Sequence, residues 1–224
     1  MKNRAKLATM LSIIVSTTLL SACAQTDVVG KTAKTSFSDL LKKAPETLLV
    51  ETEQNWSLMA PDAGATFLWN KEFKNHEGYE AWMEVDATPF VEAGLDASKL
   101  PEGILENNKL VFGIQIEQEE QKQVETISPE QSFASIVDLE REKIGYHEVL
   151  DHYGIDLSGG NKFEWAKDTG KNDKDIVFVV DPQILIDAGV SPEKIEGWTY
   201  ATVEMLDDRG KKIEVQKFLK AFDL

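Results

Sequence analysis

The side chains able to do acid–base, metal or nucleophilic chemistry in this chain are abundant in one kind and scarce in the others: 39 Asp and Glu, three His and one Cys in 224 residues. His147 and His152 lie five apart in GYHEVLDHYG. On the helix expected there they stand about 140° apart, too far round to share a metal. His147 with Asp151, and Glu148 with His152, are the i,i+4 pairs that share a face, and they read as solvated pairs. His76, in KNHEGYE, falls in a turn with no partner in sight. No His-Glu-x-x-His, Ser-x-x-Lys, Gly-x-Ser-x-Gly or phosphate-cradling loop occurs, and glycine-rich DLSGGNK does not fit a Walker loop. Neither a metal nor a cofactor is expected.

Paired carboxylates could run glycoside or peptide hydrolysis. With so many acids in the chain, a pair carries no information by itself. Asp86 and Asp181 stand out because each ends a strand pattern just before a short helix, where an Asp side chain caps the helix N-terminus. Among the tryptophans, Trp69, Trp165 and Trp198, with Trp82 matched by Phe178, recur at similar points of two similar segments, which favours a role as core anchors. The competing use of Trp69, Trp165 and Trp198 is an aromatic-lined ligand groove. Trp56, with no aromatic counterpart, is the residue expected to be exposed.

The lone cysteine follows a short apolar run. Lys2, Arg4 and Lys6 precede Leu7 to Leu20, and Leu20-Ser21-Ala22-Cys23 closes the stretch. Three basic residues, roughly 14 apolar or small ones and a small-residue exit form a secretory signal, too short for a spanning helix of about 20 residues. The closing residues resemble the lipobox of bacterial lipoproteins. That resemblance covers residues 1–25 and implies cleavage before Cys23, diacylglyceryl transfer to its thiol, and a mature protein held on the extracytoplasmic face of a membrane by palmitate-like chains. Two or three such chains anchor firmly where one holds marginally.

Loss of residues 1–22 would remove three basic residues and no acidic one, taking the formal net charge from −15 to −18. Such a chain repels phosphate backbones, so nucleic acid is excluded as a partner. Electrostatic attachment to anionic lipid is excluded on the same ground, which leaves the acyl chains as the membrane contact. With Cys23 acylated no thiol remains, so neither disulfides nor thiolate chemistry is expected.

The elements behind these residues come twice. SFSDLLKKAPETLLVETEQNWSLMAPDAGATFLWN (36–70) lies over SFASIVDLEREKIGYHEVLDHYGIDLSGGNKFEWA (132–166) without a gap. After a gap of one residue, VDATPFVEAGLDASKLPEG (85–103) lies over VDPQILIDAGVSPEKIEG (180–197). Each copy then runs into a strand, a polar turn and another strand, LVFGIQIEQEEQKQVETI and YATVEMLDDRGKKIEVQKF, with DDRG as the second turn. The unit reads α-β-β-α-β-β. Its first helix starts at Ser128-Pro129-Glu130-Gln131 and carries Ile136, Leu139, Ile144 and Leu150 to a stop at Gly154. Its first hairpin holds Phe163, Trp165 and Ile176–Val180, and its short second helix ends at a glycine, Gly94 or Gly189.

Consecutive hairpins imply antiparallel sheets, so the class is α+β, a tandem duplication. The expected layout is a signal peptide over 1–22, a flexible tether over 23–35, repeat 1 over 36–127 and repeat 2 over 128–224. A tandem plan of one helix plus four strands is similar to that of the β-lactamase inhibitor proteins and some small envelope lipoproteins, a likeness of fold without a shared motif. A membrane-tethered binding or interaction module, with a protein or small molecule as its ligand, is the first expectation. An envelope hydrolase using paired carboxylates is the second. A chaperone or inhibitor masking a partner protein is the third.

Overall fold

A computed structural model describes residues 18–60, 64–71, 78–115, 128–171, 174–206 and 211–224, with the backbone alone for 18–27, 205 and 206. His76 and the DDRG turn lie outside the described residues. The first repeat contains α1 (Thr18–Lys43), β1 (Leu49–Glu51), β2 (Asn55–Met59), β3 (Ala65–Asn70), β4 (Ala81–Asp86), α2 (Thr88–Glu92), β5 (Leu105–Glu106) and β6 (Lys109–Ile114). The second contains α3 (Pro129–Leu139), β7 (Ile144–His147), β8 (His152–Asp156), β9 (Lys162–Ala166), β10 (Ile176–Val180), α4 (Gln183–Asp187), β11 (Thr199–Leu206) and β12 (Lys212–Phe222). Two antiparallel sheets result, with strand orders β1-β2-β3-β4-β6-β5 and β7-β8-β9-β10-β12-β11, the same topology twice. The fold is α+β, with two similar sheet units in tandem.

Each unit holds six strands rather than four, and the extra hairpin, β7–β8 or its equivalent β1–β2, replaces the distal half of the expected helix. Helix α3 starts as the sequence indicates, with Ser128 Oγ accepting from the Gln131 N–H at 3.3 Å. It stops at Leu139 because the apolar spacing then fails: Ile144, Gly145, Tyr146 and His147 suit an extended edge. Asp151 supplies the positive φ of 53° that the β7–β8 turn requires. His147 and His152 are therefore cross-strand partners, not helix neighbours. Gly154 lies inside β8 and is no helix stop. The likeness to folds of one helix plus four strands loses its basis with this count.

The tether is also corrected. Residues 23–35 belong to α1, whose inner face presents Gly30, Ala33, Phe37, Leu40 and Leu41 at helical spacing. Small residues at its start allow close approach, and a Cβ placed on Gly30 would lie 3.7 Å from Val137 of α3. A tether reading looks for large apolar residues and misses a face built from glycine and alanine.

The repeats form one body related by an approximate two-fold. Phe37 stacks on its equivalent Phe133 with ring centroids 3.7 Å apart, and Phe67 stacks on its equivalent Phe163 at 4.1 Å. Ser36 Oγ donates to the Ala166 carbonyl at 2.8 Å, and reciprocally Ser132 Oγ donates to that of Asn70. The loops after α2 and α4 exchange two main-chain bonds, Asp96 N–H to Ala188 O at 2.8 Å and Ser191 N–H to Ala93 O at 2.9 Å. A single cluster of buried apolar side chains draws on both sheets and on α1 and α3.

Candidate functional site

The pairing register sets the equivalences. Trp69 pairs with Trp56 and Trp165 with Tyr153, so Tyr153 is the aromatic counterpart that Trp56 was expected to lack. Trp69 also pairs with Ala81 and Trp165 with Ile176, which places Trp82 opposite Val177 in the comparison, not Phe178. The one-residue gap that the two aligned blocks leave between residues 70 and 85 falls between β3 and β4, and strand pairing places it before Trp82. In repeat 1 the strand Leu110–Ile114 lies in β6 and corresponds to β12, not to β11 as the alignment of the final hairpins implied. Its expected partner strand, in 116–127, lies outside the described residues.

None of the predicted tryptophans lines a ligand groove. Trp69 and Trp165 are fully buried, packing edge-on against Phe37 with centroids 5.6 and 5.3 Å away. The Trp69 indole donates to Pro129 O at 3.2 Å. Trp198 is buried against Phe90 of the other repeat, 5.6 Å between rings. Trp56 is half-buried against the core, with the Lys71 ammonium 4.7 Å above its ring. All four hold the fold together. Cys23 lies on α1, in the stretch described for its backbone alone.

Asp86 and Asp181 act as caps. Asp86 Oδ1 accepts from the Thr88 N–H at 2.9 Å and from its hydroxyl at 2.8 Å, and Asp181 Oδ1 accepts from the Gln183 N–H at 2.9 Å. The intervening Ala87 and Pro182 already have helical backbone angles, so each Asp occupies the capping position. The Thr88 main-chain N–H, with help from its hydroxyl and from Lys109 and Lys220, holds the Asp86 carboxyl below its ordinary 3.8. Asp181 also receives the buried Lys217 ammonium at 2.5 Å.

The chemistry-bearing residues that do converge are ones the sequence did not single out as a set. Strand alternation turns Phe178 into the shared core and Val177 and Val179 the other way. Both valines are buried, yet they lie outside the core cluster. Together with Val203 and Leu219 they floor a groove of about 470 Å³ on the outer face of the second sheet. The β7–β8 hairpin walls one side and Glu204 and Lys212 of β11–β12 the other, while Val29 of α1 closes an end. The equivalent outer face of the first sheet also carries a recess, of about 560 Å³, but it is lined by Asn55, Trp82, Glu84, Glu106 and Val111, and β5 beside it is two residues long where β11 has eight.

Glu164 projects from β9 into this groove and is 8% exposed. Glycine at 154 leaves room for it across β8, since a Cβ there would stand 3.1 Å from Glu164 Cγ and press that side chain aside. Its Oε1 is 3.9 Å from Nδ1 of His147. The Glu164 carboxylate raises the His147 pKa above the ordinary 6.5 against the opposing effect of burial, and the Glu204 main chain on the opposite wall adds to it. Lys162 with Asp156 at 2.6 Å and Lys212 with Glu204 at 2.5 Å place two more ion pairs around the same groove. Val177 and Glu164 can thus offer one molecule an apolar bed beside a polar wall. His152, the cross-strand partner of His147, is buried and its Nε2 lies 2.7 Å from Lys174 O, a structural contact.

Among the described residues no cluster of three or more His, Cys, Asp or Glu is arranged to hold a metal ion, and no helix is long and apolar enough to cross a membrane. No protein-family model, curated protein or solved structure matches this chain. What the chain is follows from its own architecture: a tandem α+β protein whose two six-stranded antiparallel sheets share one core.

Proposed function

We propose that the protein is a lipid-anchored extracytoplasmic binding protein that holds an amphipathic small molecule in the groove of its second sheet. The observation that carries this reading is the buried Glu164 carboxylate, paired with His147 beside the valine floor. A groove of this size, mostly apolar with a few placed polar groups, is the usual form of a small-ligand site. The ligand's apolar part lies on Val177, Val179, Val203 and Leu219, and its polar part faces the His147–Glu164 pair. The lipobox supplies the location.

Hydrolysis needs two carboxylates flanking the bond, one of them kept protonated. In this groove Glu164 is paired with His147 and Asp156 with Lys162, so both carboxylates already have cationic partners, an arrangement that suits positioning a ligand. Two measurements test the proposal. Replacing Cys23→Ala should release the protein from membranes and change its electrophoretic mobility; a protein still membrane-bound with unchanged mobility would refute the anchor. Val177→Trp installs the residue that repeat 1 carries at the equivalent Trp82, so the sheet accommodates it while the groove fills. Native mass spectrometry of protein purified from its own membranes should show a bound small molecule that this variant loses. An identical bound mass in both proteins, or none in either, would sink the groove assignment.

A further inference from the structure

Of the eight large apolar side chains left exposed in the described residues, four belong to the β7–β8 hairpin or to α1 beside it, while Val50, Val91, Tyr200 and Ile213 lie on other elements. Val149 is 70% exposed, Val28 65%, Leu150 41% and Tyr146 37%. Val149 and Leu150 form the tip of the β7–β8 hairpin, Tyr146 lies near the end of β7, and Val29, next to Val28 on α1, lines the same groove as they do. Scattered singly, such residues need no explanation; collected beside one another they mark a contact surface.

Helix α1 says what that surface meets. From Cys23 to Val28 it runs five residues without a break, about 7.5 Å at 1.5 Å per residue. A flexible tether over 23–35 would leave the body free to stand roughly 20 Å from its anchor. A helix continuous with the core fixes both the distance and the direction instead. We propose that the rim formed by Val28, Tyr146, Val149 and Leu150 rests on the bilayer that holds Cys23, a second and apolar membrane contact that orients the whole body. This rests on the lipid-anchor reading above.

The charges around the rim define the kind of contact. Glu148 and Asp151 flank the apolar tips, and Lys167 sits over the Tyr146 ring at 5.4 Å while pairing with Asp151 at 3.4 Å. No excess of positive charge faces the lipid, so attraction to anionic headgroups contributes nothing. The apolar tips enter the boundary between headgroups and acyl chains, the depth at which an amphipathic ring such as Tyr146 is at home.

Acylation of Cys23 leaves the lipoprotein without a free thiol, which makes a clean label possible. The full lipidated protein carrying Val149→Cys is labelled with an environment-sensitive thiol dye and placed in phosphatidylcholine vesicles, with Val91→Cys on α2 as the reference site. The expected result is blue-shifted emission at position 149 and quenching by spin-labelled phosphatidylcholine several-fold stronger than at position 91. That difference should persist at about 1 M salt, where the Debye length falls to about 3 Å. Water-like emission at position 149, equal to that at position 91, would overturn the inference. A blue shift without lipid quenching would overturn it too, by showing that protein covers the rim. Failure of the anchor reading is seen separately, as labelling of Cys23 in the unsubstituted chain.

Discussion

Asp86 and Asp181 show how much a single side chain can be asked to do at a repeated position. Each caps a five-residue helix that has little cohesion of its own. Asp86→Ala should therefore cost about 0.5–2 kcal/mol, read as a lower urea midpoint with an unchanged slope. Because folding lowers the Asp86 pKa, its contribution is present above the unfolded value near 3.8 and is lost as pH falls through the folded value. Asp86→Asn should accordingly flatten the acid limb of the stability curve. His147 runs the opposite way. Its pKa is raised on folding, so the stabilisation from Glu164 is complete below the unfolded value of 6.5 and disappears as pH rises through the folded one. Proton NMR should find His147 titrating above 6.5, and His147→Gln should remove the loss of stability seen as pH rises above 6.5. A His147 that titrates at or below 6.5 would mean the pair with Glu164 does not form.

At the scale of elements, the tightest constraint lies where the loops after α2 and α4 cross. Gly94 and Gly189 have φ of +108° and +104°, and a Cβ on either would stand 2.9 Å from the carbonyl oxygen of the other. Gly94→Ala meets both the conformational penalty and the clash, and should destabilise by more than about 1 kcal/mol in chemical denaturation. The glycines were legible as helix stops; their mutual contact was not. The extra hairpin illustrates a different limit. Apolar residues at 136 and 139 continue to 144 and 150 only if spacings of five and six are accepted as helical, and the strand reading of Ile144–His147 becomes compelling once β8 lies beside it. Helix α1 was hidden for a third reason, since Gly30 and Ala33 carry almost no hydrophobic signal although they sit in a tight helix crossing.

For the molecule as a whole, the stacked rings on the pseudo-two-fold make the repeats interdependent. Phe67 and Phe163 lie nearly parallel, 4° apart, with one ring from each sheet, so neither sheet completes its core alone. Phe67→Ala should cost about 3–5 kcal/mol, and calorimetry of the intact protein should show both repeats unfolding in one transition before and after the substitution. Two resolved transitions would contradict the shared core. The same duplication explains why the two outer faces differ, a polar recess over Trp82 and Glu84 in the first sheet against an apolar groove over Val177 and Val179 in the second. The repeats were free to diverge on their outer faces, where Val177 replaces Trp82 and the long β11–β12 hairpin replaces the short β5–β6, while the inner rings stayed matched because each packs against its own counterpart.

What the sequence determined by itself is what depends on residues near one another along the chain. The duplication, the antiparallel α+β class, the Asp caps, the start of α3 and the glycine stops all follow from local order and local stereochemistry. Periodicity says which face of an element is apolar but not which other face it meets. Only the tertiary structure decided that Phe37 meets Phe133, that Trp69 and Trp165 are core and not ligand contacts, and that His147 and Glu164 converge over Val177. Those juxtapositions arise from strand register and from the crossing of distant segments, and a shift of one residue in register reverses which side chains face the core and which face the groove.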